Sequence, residues 1–286
     1  MYFSVGILYS AHEFLRFLFK TPGIKNNFPE VFHTFNNVAS PNAILEVCQR
    51  CEWIRLNVSG DLEVTEKGVL ILETLQIEKV LRIQVFDLIE AYRPNWTPLL
   101  SRGRSEALKY LPIDVVQCLR EADLTASYSD EVIIWWDKIS KISRKLGKDE
   151  KLDIGRKGEK LSIEHERNRT EKEPIWQGFE SNFSGFDILS VQNKTDLSPL
   201  MIEVKSSNLS WGSATFHISK NEWGVAQISA NYYFHLWLLL PQPKLYLVRQ
   251  EEVAKHVPFN QGQGQWSNVE VPFSAVVNET NFVSFP

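Results

Sequence analysis

Two short stretches decide the reading of this chain: Ser184-Gly185-Phe186-Asp187-Ile188-Leu189 and Met201-Ile202-Glu203-Val204-Lys205-Ser206-Ser207. Each is an apolar run carrying one carboxylate, and the second adds a lysine two residues on. Residues i and i+2 of a strand share a face, so Glu203 and Lys205 point the same way. If the two runs pair as neighbours, Asp187 meets them. Two carboxylates and an ammonium at one strand edge are the minimum equipment for metal-assisted phosphodiester hydrolysis. Taken singly, Asp187 also reads as a strand-end cap, and Glu203 with Lys205 as a half-solvated strand face. An apolar strand buried on both sides argues against decoration, because an unpartnered buried carboxylate is costly.

The flanking sequence supplies the rest of a domain. Ile154–Glu166 reads as a helix containing Gly158-Glu159. Ile175–Phe179, Phe186–Val191 and Leu200–Val204 read as strands, followed by a short strand at Phe216-His217-Ile218. Ser219 with Glu222 three residues later is a capping box that opens a helix running to about Ala230. Tyr232–Leu240 and Leu245–Val248 are further strands, Pro258–Trp266 a loop, and Val269-Glu270-Val271 the start of an added edge strand. This order predicts an α/β (α+β) class, a mixed sheet flanked by helices.

A hard cation such as Mg2+ takes oxygen ligands and keeps several waters. On this reading Asp187 and Glu203 bind it directly, and the Val204 carbonyl at the strand end adds an oxygen. Lys205 orients the attacking water and offsets charge on the phosphorane. Glu159 faces the site from the preceding helix as an accessory ligand or the ligand of a second metal. Gln227, one turn beyond Trp223, can contact a water or phosphate.

These segments resemble the PD-(D/E)xK, restriction-endonuclease-like nuclease superfamily, with Asp187 and Glu203-Val204-Lys205 as its core motif. Over about residues 152–245 they resemble more closely DUF3883, the protein NO VEIN C-terminal domain. That likeness rests on Gly158-Glu159, Glu164/Glu166, Gly185-Phe186-Asp187-Ile188-Leu189-Ser190, Ile202-Glu203-Val204-Lys205-Ser206-Ser207 and Phe216-His217-Ile218-Ser219-x-Asn221-Glu222. Phe186 stands where the family usually has Tyr. The resemblance implies a Mg2+-dependent DNA endonuclease, with Mn2+ as substitute, in prokaryotic restriction or anti-phage defence. The chain has no GxxxxGK[ST] phosphate loop, so an ATPase or helicase would act in trans. Cutting both strands needs two sites, which makes a homodimer plausible. The alternative is a catalytically inactive nuclease-fold module that binds nucleic acid or a protein partner.

The first half reads differently. Ser40-Pro41-Asn42 opens a helix over Ala43–Trp53. Trp53–Leu56, a turn at Ser59-Gly60-Asp61, and Leu62–Thr65 form a hairpin, and Thr65-Glu66-Lys67-Gly68 leads into a helix over Val69–Leu75. Helix, hairpin and helix resemble a winged-helix module over residues 1–80, either DNA-binding or protein-docking, or a packing or dimerisation domain. Residues 81–150 read as mostly helical (Ile83–Tyr92, Asp114–Glu121, Ser129–Leu146), with a charged linker at Lys148–Lys151, and residues 151–286 as the nuclease-like domain. Trp135-Trp136 reads as core. Cys48-Gln49-Arg50-Cys51 has CxxC spacing but no second pair, so both thiols read as core-side hydrophobes. His165, His217, His235 and His256 are scattered, with none paired at metal-ligand spacing, and read as structural or at most as phosphate-side contacts.

At 286 residues with 43% hydrophobic and 12% aromatic content, the chain can bury a substantial core. A net charge of −4 argues against nucleic-acid binding through bulk positive charge. A basic cluster over Lys138–Lys172 is open to two readings, a solvated helical face or a phosphate contact. Met1–Phe19 reads as an amphipathic helix, and Leu236–Leu240 is too short to span a bilayer. The expectation is a cytoplasmic protein with no membrane partner.

Overall fold

The computed structural model describes residues 2–25, 39–144, 150–260 and 266–283. The chain forms two compact units, Met1–Leu146 and Gly147–Pro286. The linker assigned to Lys148–Lys151 falls partly outside the described residues; Glu150 already begins a helix.

The first unit is mostly helical with one hairpin. Helix α1 (Val5–Lys20) is capped by Ser4 and buries Ile7, Leu8, Ala11, Phe14, Leu15 and Leu18, a stripe at helical spacing. Ser40 caps α2 (Pro41–Arg50), accepting from the Ala43 amide, with Pro41 where a missing N–H costs nothing. Strands β1 (Ile54–Leu56) and β2 (Leu62–Val64) pair antiparallel about the Gly60 turn. Thr65 then caps α3 (Glu66–Glu73). A Cβ on Gly68 would lie 2.3 Å from the Trp53 carbonyl oxygen, so this helix meets the hairpin only through a glycine. Helices α4 (Ile77–Tyr92), α5 (Arg104–Tyr110), α6 (Ile113–Glu121) and α7 (Asp130–Arg144) complete the unit. Trp135 and Trp136 are buried, and their indoles donate to the Arg82 and Leu124 carbonyls. Cys48 and Cys51 are buried too; burial pushes the Cys48 thiol well up and the Cys51 thiol to about 12, which keeps both protonated and unreactive.

The second unit carries a five-stranded mixed sheet. Helix α8 (Glu150–Thr170) leads to β3 (Ile175–Trp176), a short helix α9 (Gln177–Glu180), β4 (Ile188–Val191), β5 (Pro199–Ser207), β6 (Thr215–Ser219), α10 (Lys220–Ile228), β7 (Tyr232–Leu238), β8 (Lys244–Arg249), α11 (Gln250–Ala254), β9 (Asn268–Pro272) and α12 (Phe273–Val276). The sheet order is β3-β4-β5-β7-β8, with β5 and β7 parallel and the other pairs antiparallel. One face holds a core of Tyr232, Phe234, Leu236, Tyr246 and Val248 against Phe216, Ile218, Trp223, Val271 and Phe273. Helix α8 packs on β4 and β5. A Cβ on Gly158 would sit 1.8 Å from Ser206 Oγ and 3.4 Å from the Trp237 ring, so this glycine sets the helix-to-sheet approach.

Two strand expectations are corrected. The run Ile175–Phe179 stays a strand for two residues and then turns into α9, because the Gly178 amide donates to the Asp187 carbonyl at 2.8 Å. The tail strand does not extend the main sheet. It pairs with β6 as a separate ribbon, Phe216 opposite Val271, because both side chains belong to the same core.

Three arginines of the basic cluster are paired within the second unit. Arg156 pairs with Glu159, Arg167 with Glu173 and Arg169 with Glu166. The histidines are less scattered than the sequence implies: the His165 and His235 rings meet at 5.7 Å. His235 and Ser162 are both buried, and Ser162 Oγ accepts from Trp237 Nε1 and contacts His235 Nδ1 at 3.1 Å. Glu166 Oε1 lies 3.8 Å from His235 Nε2, too long for a hydrogen bond, and Glu166 is already held by Arg169 and Ser190. Burial pushes His235 from 6.5 down to about 3; Glu166 opposes this, while His165 and Arg169 add to it. The folded value lies below the unfolded one, so stability falls as pH drops from about 6.5 toward 3, by at most ~1.4 kcal/mol per pH unit. Urea midpoints of His235→Gln are expected to vary less than wild type over that window.

Candidate functional site

The site forms where β5 outruns β4. Ile188 lies opposite Ile202, so β4 stops one position before Glu203 while β5 continues to Ser207. Continuing that register places Asp187 opposite Glu203, and directly opposed residues of an antiparallel pair share a face. Lys205, two residues on, lies on it as well.

Backbone contacts fix Asp187. Its amide donates to the Ile202 carbonyl at 2.9 Å. Its Oδ2 accepts from the Val204 amide at 2.9 Å, so the carboxylate takes the place of a strand partner. The carbonyl of a strand residue faces the same edge as its amide, which turns the Val204 oxygen toward Asp187. The approach is set by Gly185 at φ +72°, where a Cβ would lie 2.6 Å from Val225. The Tyr232 hydroxyl donates to the Gly185 carbonyl at 2.7 Å. Gly178 closes the other side: its Cβ would fall 2.5 Å from Asp187 Oδ1.

Lys205 is clamped between two carboxylates. Its Nζ lies 2.7 Å from Glu203 Oε1 and 3.0 Å from Glu222 Oε1. Glu222 also accepts from the Ser219 amide at 2.7 Å, completing the capping box of α10. One carboxylate therefore caps a helix and holds the lysine. The sequence reading gave Glu222 only the first role, since a capping box already accounts for an acid at N3.

Glu159 reaches the same region from α8. Arg156 and the Trp176 indole both donate to its Oε2, so half of this carboxylate is engaged. The Arg156 guanidinium also sits over the Trp176 and Phe179 rings. Gln227 is exposed on α10 and lines a different cavity, with Trp223 and Asn260.

The electrostatics reveal a shortage of positive charge. Asp187 is raised well above the ordinary aspartate value, first by burial and then by Glu159, against the pull of Lys205 and the Val204 amide. Glu203 is raised by burial and by Asp187. Burial alone would lower Lys205, but Glu203, Glu222 and Asp187 outweigh it and hold the ammonium protonated. Glu222 is lowered despite burial, because Lys205 and the Ser219 amide favour its charged form. A single lysine thus serves Glu203, Glu222 and the field of Asp187, and ionising Asp187 and Glu203 together is unfavourable. A further cation would relieve them.

The residues fit a hard cation in a limited way. Among the described residues, no three of His, Cys, Asp or Glu gather in a metal-holding group. Two carboxylates with the Val204 carbonyl nevertheless match the usual Mg2+ arrangement, in which one or two carboxylates share the ion with water and substrate phosphate. Among the described residues, no helix is long and apolar enough to cross a membrane.

Residues 158–248 match the family model described as Protein NO VEIN, C-terminal. The match covers nearly the same span as the resemblance read from the sequence, and it includes Glu159, Asp187, Glu203, Lys205 and Glu222. No curated protein and no solved structure matches the chain. The second unit is thus similar, over its helix, sheet and acid–lysine cluster, to the protein NO VEIN C-terminal domain.

Proposed function

We propose that the second unit hydrolyses DNA phosphodiester bonds with Mg2+, or Mn2+ in its place, in the manner of the PD-(D/E)xK nucleases. One observation carries this reading: Asp187, Glu203 and Lys205 converge on one face where β5 leaves β4 behind. When bound, the cation supplies Lewis-acid polarisation of a phosphoryl oxygen and a more acidic water. Asp187 and Glu203 offer it oxygens, and the Val204 carbonyl adds a third. Lys205 stays protonated, so it donates a hydrogen bond to the attacking water or a phosphate oxygen rather than taking a proton. Glu222 shares that ammonium with Glu203. Glu159, restrained by Arg156 and Trp176, adds negative charge next to Asp187. A place in prokaryotic restriction or anti-phage defence goes with this activity. So do an ATPase or helicase partner in trans and a homodimer that cuts both strands.

A second reading is a silent module that binds nucleic acid or a protein partner. The double clamp on Lys205 favours it, since both carboxylates must yield before the ammonium meets a phosphate. Incubation of supercoiled plasmid with Mg2+ or Mn2+ separates the two. The nuclease reading expects nicked and linear products from wild type, reduced about a hundredfold to a thousandfold in Glu203→Gln. Cleavage at the wild-type rate by Glu203→Gln would overturn it. DNA binding without cleavage by wild type would establish the silent module.

A further inference from the structure

A second concave site lies on the other side of α10. Its cavity, of about 320 Å3, is lined by the Trp223, Trp266 and Phe259 rings, the Gln227 and Asn260 carboxamides, and Lys220. Trp223 is buried, Trp266 is half-buried, and Phe259 is 90% exposed. The walls are tied in place. The Lys220 amide donates to the Ser267 carbonyl at 3.0 Å, and β9 pairs with β6 just beyond, so the Trp266 side is pinned to the start of α10. The opposite side follows α11, where the His256 amide donates to the Val253 carbonyl at 2.9 Å. Gln227 and Asn260 make no side-chain hydrogen bond among the described residues.

The chemistry of the lining selects the occupant. Aromatic rings offer π faces to a flat, weakly polar ligand. Two carboxamides, each with a donor and an acceptor, match the edge of a heteroaromatic ring. An aliphatic ligand would leave both amides facing apolar surface. Lys220, at the first position of α10, adds a basic side chain to the cavity lining. The same helix carries Glu222 to the lysine clamp, and Gln227 lies roughly 7.5 Å further along its axis.

We infer that this cavity holds a single unstacked nucleobase of the nucleic-acid strand, stacked on Trp266 and Phe259 over the buried Trp223 floor and read by Gln227 and Asn260. The inference rests on the nucleic-acid reading of the neighbouring site and gives that site a preference for strands with an accessible base. Its test is equilibrium binding of the full chain to a short fluorescein-labelled single-stranded DNA, and to the duplex of the same sequence, both in EDTA. Gln227→Ala and Trp266→Ala are expected to weaken single-strand binding about tenfold each and to leave duplex binding unchanged. Gln227 is exposed, so its variant keeps the fold, and Trp266→Phe should recover most of the lost affinity. Wild-type affinity in either alanine variant, or failure of wild type to bind single strands, overturns the inference. Without metal no cleavage enters the measurement. Loss of the hydrolytic assignment therefore leaves this readout intact, and wild-type binding by Gln227→Ala sinks the cavity alone.

Discussion

Lys205→Met is expected to lower the stability of the metal-free protein by about 3–5 kcal/mol at neutral pH, measured by urea unfolding in EDTA. The ammonium lies within ion-pair distance of both Glu203 and Glu222, and its side chain is only 17% exposed. Removing one partner of a buried charge cluster leaves the others uncompensated, and costs of that size follow. The sign of the pH effect is fixed by the carboxylates. Asp187 and Glu203 have folded values above their unfolded ones, so each is stabilising below the unfolded carboxylate value and costs stability as pH rises through the folded value. Removing Lys205 raises both further, so the deficit of Lys205→Met should shrink toward pH 5. A variant as stable as wild type at pH 7 would mean that the lysine is not holding the cluster together.

Asp187→Asn is expected to have the opposite effect, raising metal-free stability by about 1–3 kcal/mol at neutral pH. The amide keeps an oxygen for the Val204 N–H while removing a charge that burial and Glu159 disfavour. By the same linkage the gain disappears as pH falls toward the unfolded aspartate value near 4. His235 works in the other direction over much of the same range, losing stability as pH falls. The two partly offset each other in wild type, and Asp187→Asn should expose the acid sensitivity of His235. Adding Mn2+ should reverse the ranking. Wild type gains by mass action, whereas the variant, short of a ligand, gains little. Thermal unfolding with and without Mn2+ reads both effects; destabilisation by Asp187→Asn in EDTA would contradict the account.

Much of this was legible because it is local. The Ser40, Thr65 and Ser219 caps mark helix starts in the sequence, and the structure has helices beginning at Pro41, Glu66 and Lys220. Apolar runs around Asp187 and Glu203 form β4 and β5 as antiparallel neighbours, which brings the opposed carboxylates together. What stayed illegible depends on partners distant in sequence. Glu222 joins the site only because α10 returns its first turn to Lys205, and no local pattern separates that from capping. The sequence offers Gln227, one turn beyond Trp223, as a water or phosphate contact, yet it lines another cavity together with Trp223. Val269-Glu270-Val271 was recognisable as a strand, but its partner was not, since β6 and the edge of the main sheet offer similar backbone ladders. Burial of Phe216 and Val271 in one core selects β6.

The most direct measurement is an anomalous difference map from crystals soaked in Mn2+. The account predicts a peak between Asp187 and Glu203, about 2.1 Å from a carboxylate oxygen of each and in reach of the Val204 carbonyl, with Lys205 moved off Glu203 toward Glu222. A map without that peak, with Lys205 Nζ still held between Glu203 and Glu222, would contradict it.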